Sequence, residues 1–138
     1  NTDEILKYKE IIDYAQLHGK YGEEEILKLK NNGLKTIKVI RVQKSSYDIK
    51  TNADFLLFDT FSEKQAGGLN QTFDWNIKIK SDVPYFIAGG LNENNILKME
   101  EKLKPYGADL SSGVEFEGFK TKEKVSNIIR IVRGKLYE

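Results

Sequence analysis

Small and polar residues follow two short apolar segments in the second half of the chain. Gly89 and Gly90 come directly after Tyr85–Ala88, and Ser111 and Ser112 come after a shorter apolar segment. Small residues let backbone N–H groups approach an anion, and serine hydroxyls add further donors. A single Gly-Gly pair is more often only a tight turn. Two such segments on consecutive strands support a phosphate site and simple turns about equally.

An acidic residue, Asp59, ends the continuous apolar segment Phe55–Phe58. A carboxyl group in this position is partly shielded from water, which suits it to act as a general acid. The alternative, an acid that caps a helix or stabilises a turn, is slightly favoured when Asp59 is considered alone.

Three further residues could contribute to a site. We expect Asp109 to be buried between apolar neighbours, so that it needs backbone amides or a ligand hydroxyl as a partner. His18, the only histidine, is followed by a glycine at a predicted strand end; a structural role is favoured over a catalytic one. Arg41 lies in an apolar segment and must point to the mouth of a site or pair with an acid. With one His and no Cys, we expect no metal site.

Short apolar segments alternate with amphipathic ones along the whole sequence. Continuous apolar strands separated by crossovers predict an α/β protein with a parallel sheet covered on its faces. Either an open doubly wound sheet or part of a (β/α)8 barrel fits, and both place sites at the carboxyl edge of the strands. The predicted strands are Tyr14–His18, Thr36–Val42, Phe55–Asp59, Tyr85–Ala88 and Ala108–Ser111.

The predicted helices are identified by caps and apolar stripes. Asn1 caps an opening helix, Asn92 caps a helix over Glu93–Lys104, and Thr121 caps the last one. Helix start signals at the first residue indicate a fragment. The remaining helices are Glu23–Lys30, a turn within Ser45–Lys50 and a short helix over Gly113–Glu117.

Composition excludes several classes of function. Lys+Arg 22 against Asp+Glu 21 gives a net charge of +1, and the lysines lie beside glutamates as on solvated helix faces. This pattern argues against nucleic-acid binding. There is no Cys for disulfides or thiolate chemistry, and no apolar run long enough for a membrane span. A cytoplasmic protein is the expectation.

Five short motifs occur in a specific order: Gln16-Leu17-His18-Gly19; Leu56-Leu57-Phe58-Asp59-Thr60; Gly67-Gly68 with Thr72-Phe73-Asp74-Trp75; Ala88-Gly89-Gly90-Leu91-Asn92 with Asn95; and Asp109-Leu110-Ser111-Ser112-Gly113-Val114-Glu115 with Gly118 and Lys120. In this order and spacing they resemble phosphoribosylanthranilate isomerase over essentially the whole chain. The resemblance aligns the predicted strands with barrel strands four to eight. It implies that residues 1–138 are a single-domain, partial (β/α)8 TIM barrel lacking strands one to three, about sixty residues.

The resemblance also implies a reaction. The family is an aldose–ketose isomerase of tryptophan biosynthesis that performs an Amadori rearrangement of a small phosphorylated substrate without metal or cofactor. Asp59 corresponds to the general acid. Phosphate binding corresponds to Gly89, Gly90, Ser111 and Ser112, with Asp109 and His18 lining the cavity.

Two family residues have no counterpart in the chain. The general base is a cysteine at the end of strand one, and an arginine after strand two holds the substrate carboxylate. We therefore expect this chain alone to be inactive. Gly67-Gly68 departs from the family pattern in the residues that follow it, so it receives no ligand role.

Two alternatives stay open. Indole-glycerol-phosphate synthase is similar at the phosphate loops, but its lysine and glutamate catalysts have no place in this sequence. A non-catalytic half-barrel is the other alternative, one that binds phosphate or forms a homodimer through exposed sheet edges.

Overall fold

The computed structural model describes residues 1–61 and 71–136. Its helices are α1 (Thr2–Leu6), α2 (Glu23–Asn31), α3 (Ile96–Leu103) and α4 (Lys122–Leu136). Its strands are β1 (Tyr14–Leu17), β2 (Lys35–Val42), β3 (Ser46–Ile49), β4 (Phe55–Thr60), β5 (Lys78–Ser81), β6 (Tyr85–Ala88), β7 (Gly107–Asp109), β8 (Glu115–Phe116) and β9 (Phe119–Lys120).

The five predicted strands form one parallel sheet in the order β1-β2-β4-β6-β7. Each strand is added beside the one before it, always on the same side. A doubly wound sheet would reverse direction at a switch point, whereas a (β/α)8 barrel adds strands sequentially. The strand order therefore favours the barrel architecture over the open sheet.

One face of the sheet is covered by helices. Leu56 and Phe58 of β4 and Ile87 of β6 are fully buried in a cluster that continues into α3 and α4. A second cluster packs Ile26 and Leu29 of α2 against β1. Side chains alternate between the two faces of a strand, so the neighbours of these residues point to the opposite face, which is the concave, inner face in a (β/α)8 barrel.

Glu23 connects α2 to β2 and to the loop that precedes β4. Its carboxylate accepts hydrogen bonds from Lys38 Nζ in β2 (2.9 Å), from Thr51 Oγ1 (2.9 Å) and from the Asn52 backbone amide (2.7 Å). Burial alone would raise the pKa of Glu23, but these hydrogen bonds outweigh it and lower the pKa below its ordinary value.

The predicted helical turn within Ser45–Lys50 is wrong. β3 occupies this segment and pairs in parallel with β5, forming a two-stranded sheet outside the main one. Tyr47 and Ile49 point inward and alternate with exposed residues, which is the period of a strand. The Tyr47 ring packs edge-on against Phe58 at 5.3 Å between centroids.

The helix caps are partly as predicted. The Asn1 side chain accepts from the Glu4 amide at 3.0 Å, and the Thr121 hydroxyl accepts from the Lys124 amide at 3.3 Å. α3 begins at Ile96 rather than Glu93, because a turn held by the Asn92 side chain precedes it.

The predicted helix over Gly113–Glu117 is also wrong. A single 3₁₀ turn, Ser112–Val114, leads directly into the antiparallel hairpin formed by β8 and β9. Glu117 and Gly118 have positive φ values of 49° and 82°, which make the tight turn of this hairpin and end any helix. Within residues 1–61 and 71–136, no helix is long and apolar enough to cross a membrane.

Candidate functional site

The predicted site residues Arg41, Asp59 and Asp109 share the concave face of the sheet. Val39, Leu57 and Ala88 form a buried cluster on this face, away from the helices. Two positions further along their strands come Arg41 and Asp59, which are register partners, while Asp109 is the partner of Ala88. The alternation of side chains thus directs the three charged groups to the same side.

Asp59 lies against the loop that follows β6. Its Oδ1 accepts a hydrogen bond from the Thr60 amide at 2.8 Å. Gly89 has a φ of +97°, and a Cβ added there would lie 3.0 Å from Asp59 Oδ1 and 2.2 Å from Thr60 Oγ1. Glycine is therefore needed both for the backbone conformation and for the close approach to the carboxylate.

Gly90 is held from two sides. A Cβ at this position would lie 2.6 Å from the carbonyl carbon of Gln71, whose oxygen accepts from Thr60 Oγ1 at 2.9 Å. Asn95 Nδ2 donates to the Gly90 carbonyl at 3.0 Å, and Asn95 Oδ1 accepts from the Asn92 amide at 2.9 Å. These bonds fix the backbone of the loop before α3 begins.

The two predicted phosphate loops meet. A cleft of about 220 Å³ is lined by residues of both loops and by Lys124 of α4. Gly113 packs so closely on the loop after β6 that an added Cβ would lie 1.8 Å from the Leu91 carbonyl oxygen. The residues that line the cleft are Gly90, Leu91, Asn92, Glu93, Asn94, Ser112, Gly113 and Lys124. The small residues, the Ser112 hydroxyl and the Lys124 ammonium group suit the binding of an anion. Glu93 lines the same cleft with a negative charge, which would repel an anion.

Ser111 lies beside this cleft and contacts charged side chains of the hairpin. Lys120 Nζ donates to Ser111 Oγ at 3.1 Å and also pairs with the Glu115 carboxylate. The hydrogen bond from Lys120 lowers the pKa of Glu115. Lys124 Nζ donates to the Glu115 carbonyl at 2.8 Å.

Two predicted residues lie at the edges of the sheet, apart from Asp59. The expectation that Asp109 is buried is wrong: it is exposed, because β7 is an edge strand with nothing covering its outer side in the described part of the chain. His18 follows the other edge strand, β1, and is also exposed, with its Nε2 lying 3.2 Å from Gln16 Nε2. Half-buried Arg41 makes no ion pair with any acid in residues 1–61 or 71–136.

The sequence pattern did not assign roles to Thr60, Asn95 or Lys120. Asn95 could have been recognised from its spacing of three from Asn92, a common separation for a side chain that bonds a turn. The motif at Gly67-Gly68 lies outside the described residues. Among the residues that the structure describes, no group of three or more His, Cys, Asp or Glu side chains could hold a metal ion.

Sequential parallel strands, with an acid ending a central strand and two small-residue loops meeting in a cleft, are typical of (β/α)8-type proteins, whose sites lie at the carboxyl edge of the strands. The family model for N-(5'phosphoribosyl)anthranilate (PRA) isomerase matches residues 2–131. The chain belongs to this family.

Similarity to individual proteins agrees with this family assignment. An N-(5'-phosphoribosyl)anthranilate isomerase from Endomicrobium trichonymphae is 44% identical over 124 residues, covering 89% of this chain and 62% of the relative. The isomerase structure from Pyrococcus furiosus is 26% identical with a TM-score of 0.74, covering 97% of this chain and 70% of that one. A phosphoribosyl anthranilate isomerase in complex with reduced 1-(o-carboxyphenylamino)-1-deoxyribulose 5-phosphate shares the fold at 22% identity and a TM-score of 0.69, covering 96% and 66%. The chain thus spans about three fifths of the length of the Endomicrobium relative.

Proposed function

We propose that this chain supplies the general acid and the phosphate-binding loops of a phosphoribosylanthranilate isomerase of tryptophan biosynthesis. The reaction is the Amadori rearrangement of N-(5'-phosphoribosyl)anthranilate to 1-(2-carboxyphenylamino)-1-deoxyribulose 5-phosphate. The observation that carries the proposal is the contact of Asp59 with the Gly89 loop, since it joins the candidate acid to one of the two candidate phosphate loops.

In this proposal Asp59 protonates the furanose ring oxygen. The C–O bond breaks, the ring opens to a Schiff base, and a base then removes the C2′ proton to give an enol that tautomerises to the ketone. Asp59 suits the first step because only one of its oxygens is engaged by the described residues, by the Thr60 amide. Half-buried Arg41, its register partner, places a positive charge on the same face and is a candidate contact for the substrate.

The substrate phosphate is assigned to the loops after β6 and β7. Phosphate sites after the last two strands are common in (β/α)8 barrels. The meeting of Gly90, Ser112 and Lys124 in one cleft supports the assignment, with Gly89 and Ser111 beside it. The solved relative that holds a reduced deoxyribulose phosphate supports the same ligand class for this chain.

The general base is assigned to residues outside this sequence. The family base is a cysteine, and the 138 residues contain none. His18 and Asp109 are proposed to line the cavity only when strands one to three of the barrel stand beside β1 and β7. The chain alone is therefore expected to be inactive.

A chimaera tests the proposal. The N-terminal part of the Endomicrobium relative, through its third strand, is joined to residue 1, and loss of substrate fluorescence is followed. We expect turnover, and a loss of about 10²–10⁴-fold in kcat for Asp59→Asn, the range for a general acid. The control is Asp48→Asn, the same change at an exposed position of β3, which should leave kcat unchanged. Turnover that is unaffected by Asp59→Asn would contradict the role of the acid.

A second candidate is a non-catalytic half-barrel that associates with another copy. Exposed aromatic rings at the amino end of the concave face favour it: Tyr14 is 43% and Tyr106 69% exposed, and both pack on Phe55, at 6.1 and 5.5 Å between centroids. Two edge strands of the described sheet also leave backbone groups open to pairing. Size-exclusion chromatography discriminates, because a 15.8 kDa monomer that unfolds cooperatively would contradict self-association.

A further inference from the structure

The hydroxyl of Ser111 is contacted by two opposite charges that the β8–β9 hairpin brings together. Lys120 Nζ lies 3.1 Å and Glu115 Oε1 3.4 Å from Ser111 Oγ. Glu115 and Lys120 are register partners across the hairpin and form an ion pair. The positive φ values at Glu117 and Gly118 close the turn, so that the hairpin brings both side chains next to Ser111.

The direction of these bonds follows from chemistry. A lysine ammonium group has three donors and no acceptor, so Ser111 must be the acceptor toward Lys120. The single Ser111 proton therefore points away from Lys120. Toward Glu115 it meets an acceptor at 3.4 Å, longer than an ordinary O–H···O bond of about 2.7–2.8 Å, and is held only weakly.

We propose that Lys120 is a positioning residue that turns Ser111 into a hydrogen-bond donor for the substrate phosphate. This inference rests on the proposed function. Lys120 occupies a lone pair of Ser111, and its ion pair with Glu115 neutralises the only competing carboxylate within reach of the hydroxyl in the described part of the chain. When a phosphate oxygen binds nearby, the Ser111 hydroxyl rotates, and its O–H donates to the phosphate instead of making the long contact with Glu115.

The probe is inorganic phosphate, titrated into the full chain at constant ionic strength and followed by the backbone amide shifts of Ser112 and Gly113. We expect Lys120→Met to weaken phosphate binding about tenfold, the lower end for a charge-assisted hydrogen bond, because the Lys120 side chain is 53% exposed. Lys120→Arg keeps the donor and should stay within about threefold of the unmodified chain. Lys122→Met removes the same charge nearby and should also stay within about threefold.

A double substitution separates positioning from simple charge attraction. Ser111→Ala should weaken binding by itself, and adding Lys120→Met to it should cost less than about threefold, because the lysine acts through the hydroxyl. Equal losses from Lys120→Met with and without Ser111 would overturn the inference, and so would unchanged binding in Lys120→Met. Urea unfolding midpoints confirm that each variant is folded, and Lys120→Gln, with the same expected loss, replaces Lys120→Met if the latter is not folded.

The outcome for Ser111→Ala distinguishes the two levels of the proposal. If Ser111→Ala weakens phosphate binding and Lys120→Met does not, only the positioning role fails. If Ser111→Ala leaves phosphate binding intact, the assignment of the phosphate to this loop fails, and the role of Lys120 falls with it.

Discussion

Replacing Gly89 with alanine tests how closely the loop after β6 packs on the end of β4. The added Cβ would lie 2.2 Å from Thr60 Oγ1 and 3.0 Å from Asp59 Oδ1, where ordinary contacts begin near 3.4 Å. The Thr60 hydroxyl must therefore move by more than an ångström, and its hydrogen bond to the Gln71 carbonyl is lost.

The expected cost has three parts. An alanine at a φ near +97° costs about 1–2 kcal/mol in backbone strain. Overpacking adds about 1–3 kcal/mol, and the lost hydrogen bond about 0.5–1.5 kcal/mol. We expect Gly89→Ala to lower the free energy of unfolding by roughly 2.5–6.5 kcal/mol.

Gly33→Ala provides the matched control. Gly33 has a similar φ of +83°, but no atom lies within 4 Å of an added Cβ, so only the backbone cost of about 1–2 kcal/mol remains. Urea unfolding is followed by the fluorescence of the single tryptophan, Trp75, which packs against the main core cluster. Thr60→Ala combined with Gly89→Ala should recover part of the loss, since it removes the hydroxyl that clashes. Equal losses for Gly89→Ala and Gly33→Ala would refute the claim that the loop abuts Asp59.

Two further predictions concern the scaffold. Glu23→Gln should cost about 1–2 kcal/mol at neutral pH, while Glu24→Gln, exposed on the same helix, should cost less than about 0.5 kcal/mol. Because the pKa of Glu23 is lowered in the folded chain, its contribution to the free energy of unfolding is present above the ordinary pKa near 4.5 and is lost as the pH falls through the lowered pKa. Urea unfolding at several pH values should therefore show that the difference between the unmodified chain and Glu23→Gln shrinks at acidic pH. Phe58→Ala should cost about 3–5 kcal/mol in urea unfolding, because Phe58 is fully buried between the rings of Tyr47 and Tyr85, whereas Phe119→Ala, at a side chain 77% exposed, should be nearly neutral.

β4 and β6 of the main sheet could be predicted because each contains a continuous apolar segment, and the other three because short stretches with apolar residues lie between polar or turn residues. β3 and β5 could not, because neither contains a continuous apolar segment and their pairing joins Ser46 to Lys78, too distant for a local pattern to indicate. The starts of helices were predicted best where the capping side chain bonds the next turn directly, as at Asn1. At Asn92 the same signal marked a turn that precedes α3 rather than the helix itself.

The surroundings of some candidate site residues could likewise be predicted from the sequence, and those of others could not. Asp59, Gly89 and Gly90 obtain their neighbours from strands and loops within the chain, so local signals and the structure agree on their surroundings. The burial expected for Asp109 depended on elements beyond its own strand, and the sequence near Asp109 carries no information about them. The contact of Ser111 with Lys120 was not predicted because it depends on the β8–β9 hairpin, and the predicted helix over Gly113–Glu117 includes the first strand of that hairpin.

The position of Asp59 in the sheet explains why the surroundings of the proposed general acid can be judged from this chain. β4 is the central strand of five, so Asp59 has β2 on one side and the loop after β6 on the other. Its hydrogen bond and its contact with Gly89 therefore belong to the chain's own packing. His18 and Asp109 follow or end the two edge strands, and their surroundings change with whatever pairs there. Measurements on the chain alone thus test the packing around Asp59 and the proposed phosphate loops, whereas tests of the roles proposed for His18 and Asp109 need the chimaera.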